Sequence, residues 1–241
     1  MHNDLTQDTF FDGELSIKQA RRGYRFSIDA VILASSIRPR PQERIVDLGT
    51  GCGVVPLLVA TRHPQTRLFG VEIQKELAEM ARRNIVENGF SETIQIVCGD
   101  MRSVRPAEFD GPVDRVVCNP PFRRAAAGRI NPNSQRAIAR HEIQITLPVL
   151  IQTASRLVRT AGQFVVIFTS ERLVELIQQM RTYQLEPKFV RFIHSRRDSE
   201  SKLVLLTGAK GAKPGLKIGA PIYIYNPDGS YTDEVERMFH P

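Results

Sequence analysis

An α/β fold with a mostly parallel sheet and helices on both faces is predicted by three observations. Apolar strands and helices alternate from residue 45 to residue 183. A glycine-rich turn joins the first strand of that series to its first helix. Two β-rich runs close the series with no helix between them, which makes a terminal antiparallel hairpin. At 241 residues the chain is within the range of one such domain and can bury a sizeable core.

The elements follow in order. Residues 45–48 read as a buried strand and 54–61 as a helix, with Pro56 tolerated in its first turn. Residues 68–73 form the second strand. Residues 75–87 form an amphipathic helix, with Leu77, Met80, Ala81, Asn84 and Ile85 at helical spacing and Asn88-Gly89 ending it. Strands at 94–98 and 113–118 flank a loop at 105–112. A long helix is expected over 142–159 despite Pro148. Gly162 then turns the chain into a strand at 163–168, and a helix covers 172–183. The closing hairpin is 188–194 and 202–207, joined by the charged SRRDSES connection.

Composition narrows the class. Lys and Arg total 33 against 26 Asp and Glu, a net charge of +7 that suits a polyanionic partner without naming one. Cys52, Cys98 and Cys118 are odd in number and lack CxxC spacing, which argues against a disulfide framework or a zinc site and fits a reducing cytoplasm. The polar, acidic start does not read as a signal peptide. No apolar run approaches the ~20 residues a membrane helix needs.

The turn after the first strand reads Asp47-Leu48-Gly49-Thr50-Gly51-Cys52-Gly53. Its glycines allow a sharp turn and close approach to a ligand. A dinucleotide loop places its third glycine three residues after the second, and here Val54 fills that place. A Walker-type loop needs a Gly-Lys pair, which is absent. A ligand without a pyrophosphate fits better. Glu72 ends the second strand, 19 residues after Gly53, where an acid can accept the hydroxyls of a ribose. Gly99-Asp100, after the third strand, offers a partner for an adenine amine. Each acid falls at a strand's carboxyl end, where such sheets bind ligands.

After the fourth strand comes Asn119-Pro120-Pro121-Phe122. Two prolines make a stiff turn that holds the Asn119 side-chain oxygen and the Pro120 carbonyl as fixed acceptors. Two acceptors suit the two protons of a planar amine and turn its lone pair toward an incoming group. Phe122 can stack on a flat substrate such as a base. Such a site positions and polarises; it needs no strong base.

In this order, VDLGTGCG, GVEI, GD and NPPF resemble the class I methyltransferases that bind S-adenosylmethionine. The resemblance implies a Rossmann-like, seven-stranded, mostly parallel sheet with its last strand antiparallel. It implies a cofactor site of Phe26, Asp29, Asp47, Gly49, Thr50, Gly51, Gly53, Glu72, Ile73, Asp100, Met101 and Asn119, releasing S-adenosylhomocysteine. The NPPF tetrad resembles the motif of enzymes that methylate amino groups of adenine, guanine or glutamine, which nominates Asn119, Pro120, Pro121 and Phe122 as catalytic. No metal is implied.

A closer resemblance reaches beyond that core. GYRFSIDAVILA (residues 23–34), the stretch after NPPF and the tail GSYTDE (residues 229–234) are similar to bacterial tRNA1(Val) adenine-N6 methyltransferases. This implies one domain over 1–241, with an entry segment at 1–40 that covers the cofactor, a catalytic core at 41–208 and a C-terminal extension at 209–241. It implies tRNA as substrate and an adenine beside the anticodon as target. Phe122 stands where that family often carries Tyr, and NPPF also occurs in guanine-amine methyltransferases, so the base stays open. Glutamine methylation of a protein shares the tetrad, but such enzymes usually carry an N-terminal helical domain. A non-catalytic RNA-binding module is the further alternative, against which the intact loop and tetrad argue.

Arg123, Arg124, Arg129, Arg136 and Arg140 lie within eighteen residues after the tetrad and are expected to meet RNA phosphates. RFIHSRR (residues 191–197) is a second basic candidate. His141, a lone histidine at a helix start, and Cys52, in the cofactor loop without a partner His, read as structural. Phe69 and Met101 read as core or as walls of an adenine pocket.

Overall fold

The computed structural model describes residues 5–21, 27–120 and 146–240. Its central strands are apolar on both faces. Ile45, Leu68, Ile94 and Ile96 join one buried cluster, while Val46, Leu48, Phe69 and Val71 join another. Strands of that kind need helices on both sides.

In chain order the described elements are β1 (Leu5–Phe10), β2 (Leu15–Ala20), α1 (Ile28–Ser36), β3 (Arg44–Leu48), α2 (Val54–Arg62), β4 (Arg67–Glu72), α3 (Lys75–Glu87), β5 (Ile94–Cys98) and β6 (Val113–Cys118). There follow α4 (Leu147–Leu157), β7 (Val158–Thr169), α5 (Leu173–Thr182), β8 (Leu185–His194), β9 (Ser201–Lys210), β10 (Lys217–Ile218), β11 (Ile222–Tyr223) and α6 (Asp233–Glu236). The long strands are ordered β5-β4-β3-β6-β7-β9-β8. All neighbours are parallel except at β9, which is antiparallel to both β7 and β8. Helices α1, α2 and α3 contribute to one cluster and α4 and α5 to the other.

The alternation and the closing hairpin are as the sequence implies, and α3 has the expected bounds. Three details differ. The main sheet has nine strands, because the two-residue β10 and β11 pair in parallel with β8 and cover its outer edge. Helix α4 starts at Leu147 with Pro148 in its first turn, where the missing N–H is harmless, and it stops at Leu157. The chain enters β7 at Val158 and bulges: Val113 faces Val158, yet Arg115 faces Gln163. Gly162 therefore lies inside a strand rather than in a turn before it. A Cβ there would come within 2.8 Å of the Asp114 carbonyl.

The N-terminal hairpin β1–β2 forms a separate two-stranded sheet, which the sequence reading left as a polar start. Leu15, Ile17 and Gln19 alternate inward from β2. Two asparagines one turn apart, Asn84 on α3 and Asn88 at its C-cap, grip its backbone. Asn84 Oδ1 accepts from the Lys18 amide at 3.0 Å and Asn84 Nδ2 donates to the Lys18 carbonyl at 2.9 Å. Asn88 does the same for Ser16 at 2.9 and 2.7 Å. Asn84 Nδ2 also donates to the Cys52 carbonyl at 3.0 Å, which ties the hairpin to the glycine turn. Asn84 is fully buried, so Asn84→Ala strands three backbone partners. Equilibrium urea unfolding is expected to show a loss of about 2–4 kcal/mol; a loss under about 0.5 kcal/mol would contradict this account.

The C-terminal segment packs onto the same side. Tyr225 stacks on Tyr231, Tyr231 on Phe239, and Phe239 on Phe10 of β1, with centroids 5.3 to 5.8 Å apart. Val235 and Met238 join the cluster that holds Phe10, Ile17 and α1. Helix α1 is buried from Ala30 to Ser35. It is thus a core helix.

Candidate active site

Strands β3, β4, β5 and β6 run parallel, so their carboxyl ends gather along one rim. Asp47 faces Gly70 on one side and Val117 on the other, and Glu72 faces Cys98. The turn after β3 is held by amides of Gly49 and Thr50, which donate to the Val71 carbonyl at 2.9 and 3.1 Å. Gly49 has a φ of 77°, and a Cβ on it would meet none of the described residues within 4 Å. Gly70 has the opposite reason to be glycine: a Cβ would sit 2.7 Å from the Thr50 methyl. Gly53 is the N-cap of α2.

Glu72 is buried, and both its oxygens are engaged. Oε2 accepts from the Gly51 amide at 2.9 Å and Oε1 from the Gln74 amide at 2.8 Å. A carboxylate has about four acceptor positions, so two remain. Asp47 and Thr50 are buried, and among the described residues Asp47 Oδ2 and Thr50 Oγ1 make no hydrogen bond of ordinary geometry, although the Thr50 hydroxyl lies close enough to lower the Asp47 carboxyl. Two buried polar atoms with spare hydrogen-bonding capacity at the foot of this turn suit a polar ligand.

Burial pushes the Asp47 carboxyl up to about 7; the nearby Thr50 hydroxyl opposes the rise and the charge of Glu72 adds to it. The folded protein therefore holds this proton at a pH where the unfolded chain, with a carboxyl near 4, has released it. Folded chains bind more protons across that window, so stability of the ligand-free protein falls as pH rises from about 4 to about 7. Asp47→Asn is expected to flatten that slope in urea midpoints taken at about pH 5 and about pH 8. Equal slopes in wild type and variant would refute the assignment.

Asp100 follows β5. Its Oδ1 accepts from the Arg102 amide at 2.8 Å and its Oδ2 from Arg102 Nε at 2.8 Å, and this pairing holds the carboxyl below its usual range. Ile73 is half-buried just past β4, and Met101 is buried in the cluster beneath α4. Asp29 lies in the first turn of α1, accepts from the Ser27 hydroxyl at 2.9 Å, and is raised by burial. The Arg38 carbonyl, just beyond α1, bonds Arg115 near the start of β6. The first turn of α1 thus points toward the same rim as the glycine turn.

Asn119 and Pro120 come directly after β6, whose Cys118 thiol donates to the Leu48 carbonyl at 3.0 Å. That contact sets Asn119 beside the glycine turn. Both residues are half-buried, and the Asn119 amide has no partner among the described residues. Phe26, Pro121, Phe122, His141 and the arginines 123, 124, 129, 136 and 140 lie outside the described residues. Sequence reasoning missed Asn84, whose polar side chain on the apolar face of α3 was the available signal. Among the described residues no group of three His, Cys, Asp or Glu side chains could hold a metal, and no helix is long and apolar enough to cross a membrane.

A family model described as the methyltransferase small domain matches residues 25–189, more than half of the chain. The chain belongs to the methyltransferase small domain family. This methyltransferase is 31% identical over 245 residues to a tRNA1(Val) (adenine(37)-N6)-methyltransferase of Porphyromonas gingivalis, covering 98% of this chain and 95% of the relative. A protein of the same name from Shewanella frigidimarina is 32% identical over 176 residues, 71% of this chain and 69% of the relative. Among solved structures, a predicted O-methyltransferase from Agrobacterium tumefaciens superimposes with a TM-score of 0.70 at 25% identity, covering 87% of this chain and 94% of that one. The class I methyltransferase fold expected from the motifs is the fold observed.

Proposed function

We propose that this methyltransferase transfers a methyl group from S-adenosylmethionine to N6 of an adenine beside the anticodon of a tRNA. The observation that carries the reading is the near-complete alignment with relatives named for that reaction. The placement of Asn119 and Pro120 against the glycine turn supports it, because the sequence motif then falls where cofactor and substrate must meet.

The residues fit the cofactor. Asp47 Oδ2 and Thr50 Oγ1, buried with spare hydrogen-bonding capacity at the foot of the glycine turn, suit a polar ligand. The bound cofactor supplies a methyl group on a sulfonium, which leaves without acid assistance. Glu72 would take the ribose with its two remaining acceptor positions, and Asp100 would border the adenine. Asp29, on the first turn of α1, would close the site from the opposite side. Asn119 and the Pro120 carbonyl would hold the two amine protons of the target and aim its lone pair, while Phe122 would stack on the base. The arginines from 123 to 140 would neutralise flanking phosphates. Entry segment, core and extension work as one catalytic unit in this reading, since all three feed a single hydrophobic cluster.

The test is incubation with tRNA transcripts and labelled cofactor, followed by nucleoside analysis. Label in N6-methyladenosine is expected. Label confined to guanosine, or to protein in the absence of RNA, would overturn the reading.

A further inference from the structure

The arginine-rich sequence that follows β6 is one place where a tRNA would meet positive charge; the fold presents another. Strand β8 runs parallel to β7, so the turn that joins it to β9 rises from the same rim as Asn119. It is three strand spacings away from β6, about 15 Å. This turn carries Arg196 and Arg197, both exposed.

Several other arginines among the described residues are committed to acidic partners. At the amino ends of the strands Arg67 pairs with Asp110 at 3.0 Å, Arg115 with Glu43 at 2.6 Å, and Arg159 with Asp114 at 2.7 Å. On the active-site rim Arg102 is held by Asp100 and Arg172 by Glu175. Arg191, the first residue of the basic tract noted in the sequence, pairs with Glu234 at 2.8 Å. Arg196 and Arg197 make no ion pair among the described residues. Nearby, Glu200 faces Lys202 at 3.9 Å, which leaves Asp198 as the countercharge to two arginines.

The turn is also pinned. Ser199 Oγ accepts from the Arg196 amide at 2.9 Å and donates to the Arg196 carbonyl at 2.7 Å, while the Ser199 carbonyl meets His194 Nδ1 at 2.8 Å. The Arg197 guanidinium lies 5.5 Å from the centroid of the Tyr223 ring. Stacking fixes its plane and leaves its N–H edges without an acceptor. A stacked guanidinium on a braced turn loses little entropy when an anion arrives.

We propose that the β8–β9 turn is a second RNA-binding surface, in which Arg196 and Arg197 grip backbone phosphates of the tRNA whose target base lies at Asn119. This rests on the tRNA reading above. The turn positions the substrate and takes no part in methyl transfer.

The test compares wild type with the Arg196→Ala/Arg197→Ala double variant and with Arg40→Ala, an exposed arginine at the opposite end of the sheet. The double variant is expected to bind tRNA at least about tenfold more weakly at low salt, with the slope of log affinity against log salt reduced by about two. Binding of S-adenosylhomocysteine and turnover at saturating tRNA are expected to match wild type, which also reports an intact fold. Arg40→Ala should behave as wild type. An unchanged salt slope in the double variant, or an equal loss from Arg40→Ala, would overturn this inference while leaving the proposed reaction standing. A wild type that methylates no RNA would instead remove the proposed function, and this inference with it.

Discussion

Asn119→Ala is expected to lower turnover about a hundred- to a thousand-fold, the effect of losing one preorganised hydrogen-bonding group at a reacting centre. The residue follows β6 directly, tethered through the Cys118 thiol to the strand that begins the glycine turn. Its side-chain amide makes no hydrogen bond among the described residues, so the truncation removes none there. Affinity for S-adenosylhomocysteine should fall by less than about fivefold, about 1 kcal/mol. Asn119→Asp keeps an acceptor oxygen and should retain more activity than Ala. Single-turnover methylation beside calorimetric titration separates these effects. If Asn119→Ala lost cofactor affinity and rate in equal measure, the residue would be part of the cofactor cradle alone.

The second large effect belongs to Glu72. Its carboxylate closes the glycine turn by accepting the Gly51 and Gln74 amides, and it lies at the strand end expected to meet the ribose. Glu72→Ala leaves two amides without acceptors, at about 1–3 kcal/mol for a buried group, and removes the ribose acceptor as well. Cofactor affinity should fall about a hundredfold or more, close to 3 kcal/mol. Glu72→Gln should be nearly as damaging, because its NH2 would face one of those amides donor to donor. Calorimetric titration with S-adenosylhomocysteine checks both. If both variants bound it within about threefold of wild type, Glu72 would serve the turn and not the ligand.

The parts of the fold that were legible follow one period without interruption. Helix α3 shows its spacing openly, and β3 and β4 are short apolar runs that end on Asp47-Leu48 and Glu72, while β6 ends on Cys118 just before Asn119. The N-terminal hairpin was hidden by polar residues facing inward. Gln19 is 2% exposed and bonds Asp8, so the alternation on β2 does not look apolar. A turn signal was present in Asp12-Gly13, both at positive φ. The end of α4 was overrun because Val158 continues the apolar pattern while its backbone turns extended to begin the bulge of β7. Pairings made across the chain were beyond local pattern. Arg191 counted as free charge until Glu234 was seen beside it, although the Asp100–Arg102 pair, two residues apart, could have been weighed from the sequence.

The aromatic stack from Tyr225 to Phe10 sets an order of events. During synthesis β1 and β2 leave the ribosome before the other described elements, yet Phe10 meets Phe239 only once nearly all the described chain has been made. A two-stranded hairpin is marginal alone, so β1–β2 must wait for α3 and then for the final helical turn. Contacts this distant in sequence are slow to form. The expected folding intermediate has the central sheet assembled with β1–β2 and the C-terminal helical turn still loose, and the last contact to complete is the stack of Phe239 on Phe10.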